Sequence, residues 1–205
     1  MLIAFEGGEG TGKSTQAGLL ADRLRSQAGR DVVLTFQPGA TGIGIAIREV
    51  LLDPATTGLD ARAEALLMAA DRAQHVAEVV RPALDAGAVV VTDRYTHSSV
   101  AYQGIGRELG VDAVAAVSAF ATDGLVPDVV VLLVVPPAVR EARLAARGGR
   151  DRLEAAGEAF HAAVEAGFLD LAGADPERWV VVDGDADVDA VSTRVWGALE
   201  ARLPG

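Results

Sequence analysis

The sequence predicts a three-layer α/β fold, a five-stranded parallel sheet flanked by helices, and three observations carry that prediction. Five apolar, largely β-branched runs recur along the chain, at residues 2–5, 32–35, 88–92, 129–135 and 179–182. Near-continuous apolar runs of this length suit strands covered by helices on both faces. Helix-length amphipathic stretches separate the runs, the alternation that makes parallel neighbours through crossover connections. Finally, the first run leads directly into a glycine-rich turn and then a helical pattern of Ala17, Leu19, Leu20 and Leu24. In a doubly wound sheet of this kind ligands bind beyond the carboxyl ends of the strands, so functional side chains are expected just after each run.

The turn after the first run reads Gly7-Gly8-Glu9-Gly10-Thr11-Gly12-Lys13-Ser14-Thr15. Its spacing, G-x-x-x-x-G-K-S, is that of a phosphate-binding loop. Glycines let the backbone take positive φ and turn N–H groups toward an anion, and the helix after the loop adds the positive end of its dipole. Lys13 is placed to reach the β and γ phosphates of a nucleotide, and Ser14 to hold Mg²⁺. The plainer reading is a tight strand-to-helix connection. Against it stands the use of lysine: Lys13 is the only one in the chain, the other seventeen basic residues being arginines.

Composition narrows the function classes. With 205 residues and 50% hydrophobic content, the chain is expected to form one domain spanning residues 1–205 with a substantial core. A net charge of −11 opposes general attraction to nucleic acid, so small anions must be bound locally. Cysteine is absent, which excludes disulfides and thiolate metal sites. No apolar run approaches membrane-spanning length and no signal-like segment precedes the first strand, so a cytoplasmic location without membrane association is expected.

Beyond the second run, Phe36-Gln37-Pro38-Gly39-Ala40-Thr41-Gly42 is a turn in which Thr41 is expected to cap the helix containing Ile45, Ile47 and Val50. A long helix is then expected over residues 60–86, with Leu66, Leu67, Ala70, Ala73 and Val76 as its apolar stripe and Arg72 near it. The third run ends in Thr92-Asp93-Arg94-Tyr95-Thr96-His97-Ser98-Ser99. An Asp at this position can hold Mg²⁺, and an adjacent Arg can grip a phosphate bidentately; taken alone, the pair is equally consistent with a local ion pair. Residues 147–152, Arg-Gly-Gly-Arg-Asp-Arg, read as a mobile loop between helices.

Asp93-Arg94-Tyr95, Ser98-Ser99 and Ala101-Tyr102-Gln103 together resemble the signature of thymidylate kinases. The resemblance extends to Phe5-Glu6-Gly7 through Ser14, the Pro38-Gly39 turn with Thr41, the helix from Leu66 to His75, and Asp151-Arg152 with Glu154. It covers essentially the whole chain. What it implies is a P-loop kinase fold with a short lid over about residues 147–155, and transfer of a phosphoryl group from ATP to dTMP with Mg²⁺, supplying precursors of dTTP. It implies Lys13, Arg94, Arg147 and Arg152 as catalytic residues, Gly7 through Thr15 around the ATP phosphates, and Ser14 and Asp93 at the metal. On the acceptor side it implies Glu9, Phe36, Met68, Arg72, Arg94, Ser99, Tyr102 and Gln103. It also implies a homodimer.

Four positions depart from the family pattern. Met68 stands where a phenylalanine usually stacks on thymine, Phe36-Gln37 replaces Arg-Glu before Pro-Gly, and Val134 replaces a common Asp. Phe36 is a candidate for the aromatic surface that Met68 lacks. Two alternatives stay open at this point: a kinase for another nucleoside monophosphate or deoxynucleoside, and a non-catalytic ATP-binding relative. The three histidines and the Asp183-Gly184-Asp185 turn carry no catalytic expectation, and Trp179 and Trp196 are expected in packing roles.

Overall fold

The computed structural model describes residues 1–203. Its strands are β1 (Leu2–Glu6), β2 (Val32–Phe36), β3 (Val89–Asp93), β4 (Val129–Val134) and β5 (Trp179–Asp183), all parallel, in the order β2-β3-β1-β4-β5. The three central runs became strands because their two sets of alternating side chains both find helices to pack on, whereas the edge strands β2 and β5 leave Leu34, Phe36 and Val181 exposed. Ile3, Phe5, Val89, Val91, Val129, Val131 and Leu133 face one layer, where α1 (Lys13–Ala28) contributes Ala17, Leu20, Ala21 and Leu24, and α9 (Val188–Leu199) contributes Val191, Val195 and Leu199. Leu2, Ala4, Val90, Val130 and Leu132 face the other. Each of these larger side chains, fully removed from water, contributes roughly 1.5–3 kcal/mol.

The remaining helices are α2 (Gly42–Leu52), α3 (Ala61–His75), α4 (Arg81–Asp85), α5 (Thr96–Ser99), α6 (Val111–Thr122), α7 (Pro137–Arg147) and α8 (Glu158–Ala174). Thr41 caps α2 as expected, its side chain accepting from the Gly44 N–H at 2.9 Å. The helix expected over residues 60–86 is present but not uniform: α3 passes through a π-helical segment at Val76–Val80 before α4. Its buried face also differs from the expected stripe. Leu66 is 60% exposed, whereas Glu64, Ala65, Met68, Asp71, Arg72 and His75 are buried. Apolar periodicity failed here because the face turned toward the protein mixes Ala65 and Met68 with Glu64, Asp71, Arg72 and His75, polar side chains that each hydrogen-bond to fixed partners.

Strand register does most of the positioning. Phe5 pairs with Asp93 across β1 and β3, and Phe36 pairs with the same Asp93 across β2 and β3. Three strands thus end in one row. Just past that row Arg94 takes a left-handed conformation, φ 72°, with its N–H donating to the Phe5 carbonyl at 2.9 Å. Such a conformation is unfavourable by roughly 1–2 kcal/mol for a residue with a side chain. The fully buried Glu6 ties down the turn into α5: its carboxylate accepts from the N–H groups of Tyr95 and Ser98 at 2.9 and 3.1 Å and from the Ser98 hydroxyl at 2.5 Å.

Replacing Glu6 with Ala strands three buried donors, so Glu6→Ala is expected to lower unfolding stability by about 2–4 kcal/mol. Urea denaturation measures it, and a loss below about 0.5 kcal/mol would show these ties to be incidental.

Candidate active site

Beyond the strand ends lies a cavity of about 470 Å³, formed by the loop after β1, the turn after β2, α3, the β3–α5 segment and the end of α7. Its phosphate-loop wall is shaped by backbone conformations that need glycine. Gly7 has φ 132°, and a Cβ there would lie 2.5 Å from the Leu133 carbonyl oxygen. Gly12, φ 94°, starts α1, so the loop opens directly onto a helix N-terminus. Lys13 is buried with its Nζ donating to the Gly8 carbonyl at 2.6 Å, and the Thr11 hydroxyl donates to the same carbonyl at 3.0 Å. Burial, reinforced by Arg94, pushes the Lys13 ammonium down to about 8, against the opposing pull of Asp93, Glu9 and Glu6.

Ser14 donates its hydroxyl hydrogen to Asp93 Oδ2, and Asp93 Oδ1 is buried with no hydrogen-bond partner. A carboxylate oxygen left bare beside a hydroxyl is a donor set suited to a hard cation that draws its other ligands from phosphate and water. No group of three or more His, Cys, Asp or Glu among the described residues is arranged to hold a metal by itself.

Arg94 crosses from the loop to the other wall. Its guanidinium donates to the Gly7 carbonyl at 3.1 Å, Ser98 Oγ at 3.0 Å, Glu9 Oε1 at 3.1 Å and the Tyr102 hydroxyl at 3.2 Å. Tyr102 in turn donates to Glu9 Oε1 at 2.5 Å. Although burial opposes its charge, Arg94 and Lys13 hold the Glu9 carboxyl below the usual carboxylate range. Burial raises the Tyr102 phenol well above its ordinary value, so it remains a donor.

Farther in, Arg72 donates to Gln37 Oε1 and, at 2.6 Å, to Ser99 Oγ, while its Nε is buried without a partner. The Gln103 amide N–H donates to Glu64 at 2.9 Å. Tyr102 and Gln103 lie in a π-helical segment, Val100–Gly106, that continues α5, and they line the cavity together with Ser98 and Ser99. Met68 and the 46% exposed Phe36 complete this end.

The arginines near the end of α7 behave differently from one another. Arg147 lines the cavity, 57% exposed at its side chain, and is bound to Glu154 at 2.5 Å. Arg152 is not part of the cavity wall: its guanidinium lies 2.7 Å from Glu64 and donates to the Leu51 carbonyl at 2.7 Å. Arg150 pairs with Glu141 on the exposed side. Of the other expected residues, Gly7, Gly8 and Thr11 are buried in the loop and do not line the cavity, and Glu9, Gly10, Gly12, Lys13, Ser14 and Thr15 do.

Several residues were not expected. Arg143 lines the cavity and donates to the carbonyls of Gly10, Thr11 and Gly184 at 3.3, 3.4 and 3.1 Å. Its spacing of four from Arg147, one turn along α7, was the available signal. Asp71 accepts from the Gly39 N–H at 2.9 Å and so orders the turn after β2. Glu64 gathers Gln103, Arg107 and Arg152 on one buried carboxylate. Nothing in the sequence marks Glu64 as a hub, because its partners lie 39 to 88 residues away.

A family described as thymidylate kinase matches residues 5–195. The chain belongs to the thymidylate kinase family. It is 47% identical to the thymidylate kinase of Bifidobacterium longum (strain NCC 2705), over 99% of this chain and 97% of that protein. It is 52% identical to that of Clavibacter michiganensis subsp. michiganensis, over 99% of this chain and 96% of that one. The crystal structure of thymidylate kinase from Ehrlichia chaffeensis superposes with a TM-score of 0.77 at 28% identity, covering 97% and 98% of the two chains. Its likeness extends to the whole five-stranded architecture.

Because Lys13 is the only lysine, its titration can be read without interference. In protein labelled with ¹³C-lysine, the ε-carbon signal is expected to titrate with a midpoint near 8. Between that value and the ordinary 10.5, the unfolded chain keeps a proton the folded chain has released, so stability should rise with pH across this window. A midpoint at 10.5 would mean that the ammonium is not desolvated.

Proposed function

We propose that this thymidylate kinase family member phosphorylates dTMP to dTDP with ATP by direct in-line transfer, a step toward dTTP. The observation that carries the proposal is that one cavity is lined by Lys13, Ser14 and Asp93, which suit a phosphoryl donor, and by Arg94, Arg72 and Gln103, which suit the acceptor. Phosphoryl transfer asks mainly for positioning and charge stabilisation, and each residue supplies one of these. Loop N–H groups and Lys13 hold the donor phosphates, and the Lys13 ammonium offsets charge spreading over the transferred group. Arg94, fixed by four acceptors, aligns the acceptor phosphate. Ser14 and Asp93 would hold Mg²⁺, and the chemistry that the ion supplies when bound is neutralisation of the donor's phosphate charge. Residues 147–155 act as the lid, and Arg147, exchanging Glu154 for phosphate, stabilises the transferring group. Arg152 serves by anchoring that segment to Glu64.

Base selection rests on hydrogen-bonding roles. Arg72 can only donate. Gln103 has committed its N–H₂ to Glu64, which leaves its carbonyl oxygen as the group to offer a ligand. A donor and an acceptor side by side suit thymine's O4 and N3–H, and oppose cytosine, where the two roles are exchanged. Tyr102 and Glu9 stand on the sugar side, and Met68 and Phe36 supply apolar surface for the ring.

We also place the enzyme in the cytoplasm, where ATP is at hand; no helix among the described residues is long and apolar enough to cross a membrane. A homodimer is supported by the exposed apolar side chains Ile43 and Ile45 on α2, Leu66 on α3 and Phe120 on α6, the last 90% exposed. Solution mass tests this.

The deciding experiment measures ADP release from ATP and Mg²⁺ with dTMP, dUMP, dCMP, dAMP, dGMP and UMP as acceptors. dTMP is expected to lead, dCMP to be poor and Lys13→Ala to be inactive; turnover led by another acceptor, or ATP binding without turnover, would refute the assignment. Arg147→Ala is expected to lower kcat by roughly 10³-fold with KM for dTMP little changed. For Phe36→Ala the expectation is a several-fold rise in dTMP KM, and an unchanged KM would remove Phe36 from the acceptor site.

A further inference from the structure

Behind Gln37 and Arg72, which line the cavity, a chain of side-chain hydrogen bonds continues to His75 and Thr35, two buried residues that none of the roles above uses. The His75 ring is fully buried, with Nε2 2.6 Å from Thr35 Oγ1 and Nδ1 2.7 Å from Gln37 Nε2; Gln37 Oε1 then accepts from Arg72. The direction of every bond in this chain can be worked out. A guanidinium only donates, so the oxygen of the Gln37 amide must face Arg72 and its N–H₂ must face the imidazole. Nδ1 is therefore a bare acceptor, and the ring proton sits on Nε2, donating to Thr35.

We propose that His75, which does not line the cavity, is a positioning residue for the acceptor base: as the Nε2–H tautomer it locks the Gln37 amide with its oxygen toward Arg72. The proposal rests on the reading of Arg72 as a base-binding residue. Its physical content is the cost of the alternative. Without an acceptor at Nδ1, the buried Gln37 N–H₂ has nothing to donate to, and the amide gains by turning away from Arg72. Arg72 would then keep only Ser99 and the face of Tyr95, whose ring centre lies 5.6 Å from the guanidinium carbon. Burial and the neighbouring Arg72 push the imidazole down to about 4, in keeping with a neutral ring at working pH.

Two side chains distinguish this role from mere packing. Asn places an acceptor near the Nδ1 position, whereas Gln reaches only toward the Nε2 position. His75→Ala and His75→Gln are expected to raise KM for dTMP roughly tenfold with kcat within about twofold, the pattern of lost uniform binding, and His75→Asn is expected to restore most of the affinity. In ¹⁵N-histidine spectra of the wild-type protein, Nδ1 of His75 should be unprotonated; in Gln37→Glu, whose carboxylate can only accept, Nδ1 should carry a proton. A proton on Nδ1 in the wild type, or equal KM values for the Asn and Gln variants, would overturn the proposal. The spectra need no turnover, so a bare Nδ1 in a protein inactive on dTMP would keep the relay and reject the kinase reading instead.

Discussion

Everything at this site depends on three strands ending level. Asp93 is opposite Phe5 on one side and Phe36 on the other, so the residues after β1, β2 and β3 emerge together at one edge of the sheet. The phosphate loop, the turn bearing Gln37 and the left-handed step at Arg94 are neighbours for that reason alone. A slip of one residue in β3 would send Asp93 to the opposite face of the sheet and Arg94 away from Gly7. The site's geometry is thus inherited from ladder hydrogen bonds and from the two apolar layers that fix the register.

A second constraint is electrostatic. The chain as a whole is acidic, yet the cavity must attract polyanions. The structure reconciles the two by giving its buried carboxylates fixed duties: Glu6 receives backbone and hydroxyl donors, Glu9 receives Arg94 and Tyr102, Asp71 receives Gly39, and Glu64 receives Gln103 and two arginines. Each carboxylate orients a donor without presenting bare charge to an incoming phosphate. Two buried oxygens are exceptions, Glu9 Oε2 and Asp93 Oδ1, and the second lies at the place proposed for the cation.

The sheet was legible because parallel strands, buried on both faces at the centre of the sheet, write themselves as near-continuous apolar runs; every observed strand lies within one residue of its expected span at each end. The loop from Gly7 to Ser14 was legible because phosphate binding constrains backbone as well as side chains. What could not be read were relations between distant residues. The role of Gln37 looked like a missing charge in the sequence, but in space its amide joins Arg72 to His75. Arg147 and Arg152 looked equivalent on either side of two glycines, and only the position of Glu64 separates them. The burial of α3 was misjudged for a related reason: periodicity detects apolar stripes, and this helix turns inward a stripe in which Glu64, Asp71, Arg72 and His75 outnumber the apolar side chains Ala65 and Met68.

The anchoring of Arg152 limits how far its neighbourhood can travel. From Arg147, at the end of α7, to Arg152, clamped on Leu51 and Glu64, there are five peptide steps, a contour of at most about 17 Å. Gly148 and Gly149, with φ of 74° and 67°, put two left-handed steps into that strap. If this segment serves as the proposed lid, its swing would be rotation about a few glycine bonds while both ends keep their attachments, the motion of a hasp pinned at each end rather than of a free loop, and neither α7 nor α8 would have to unwind for it.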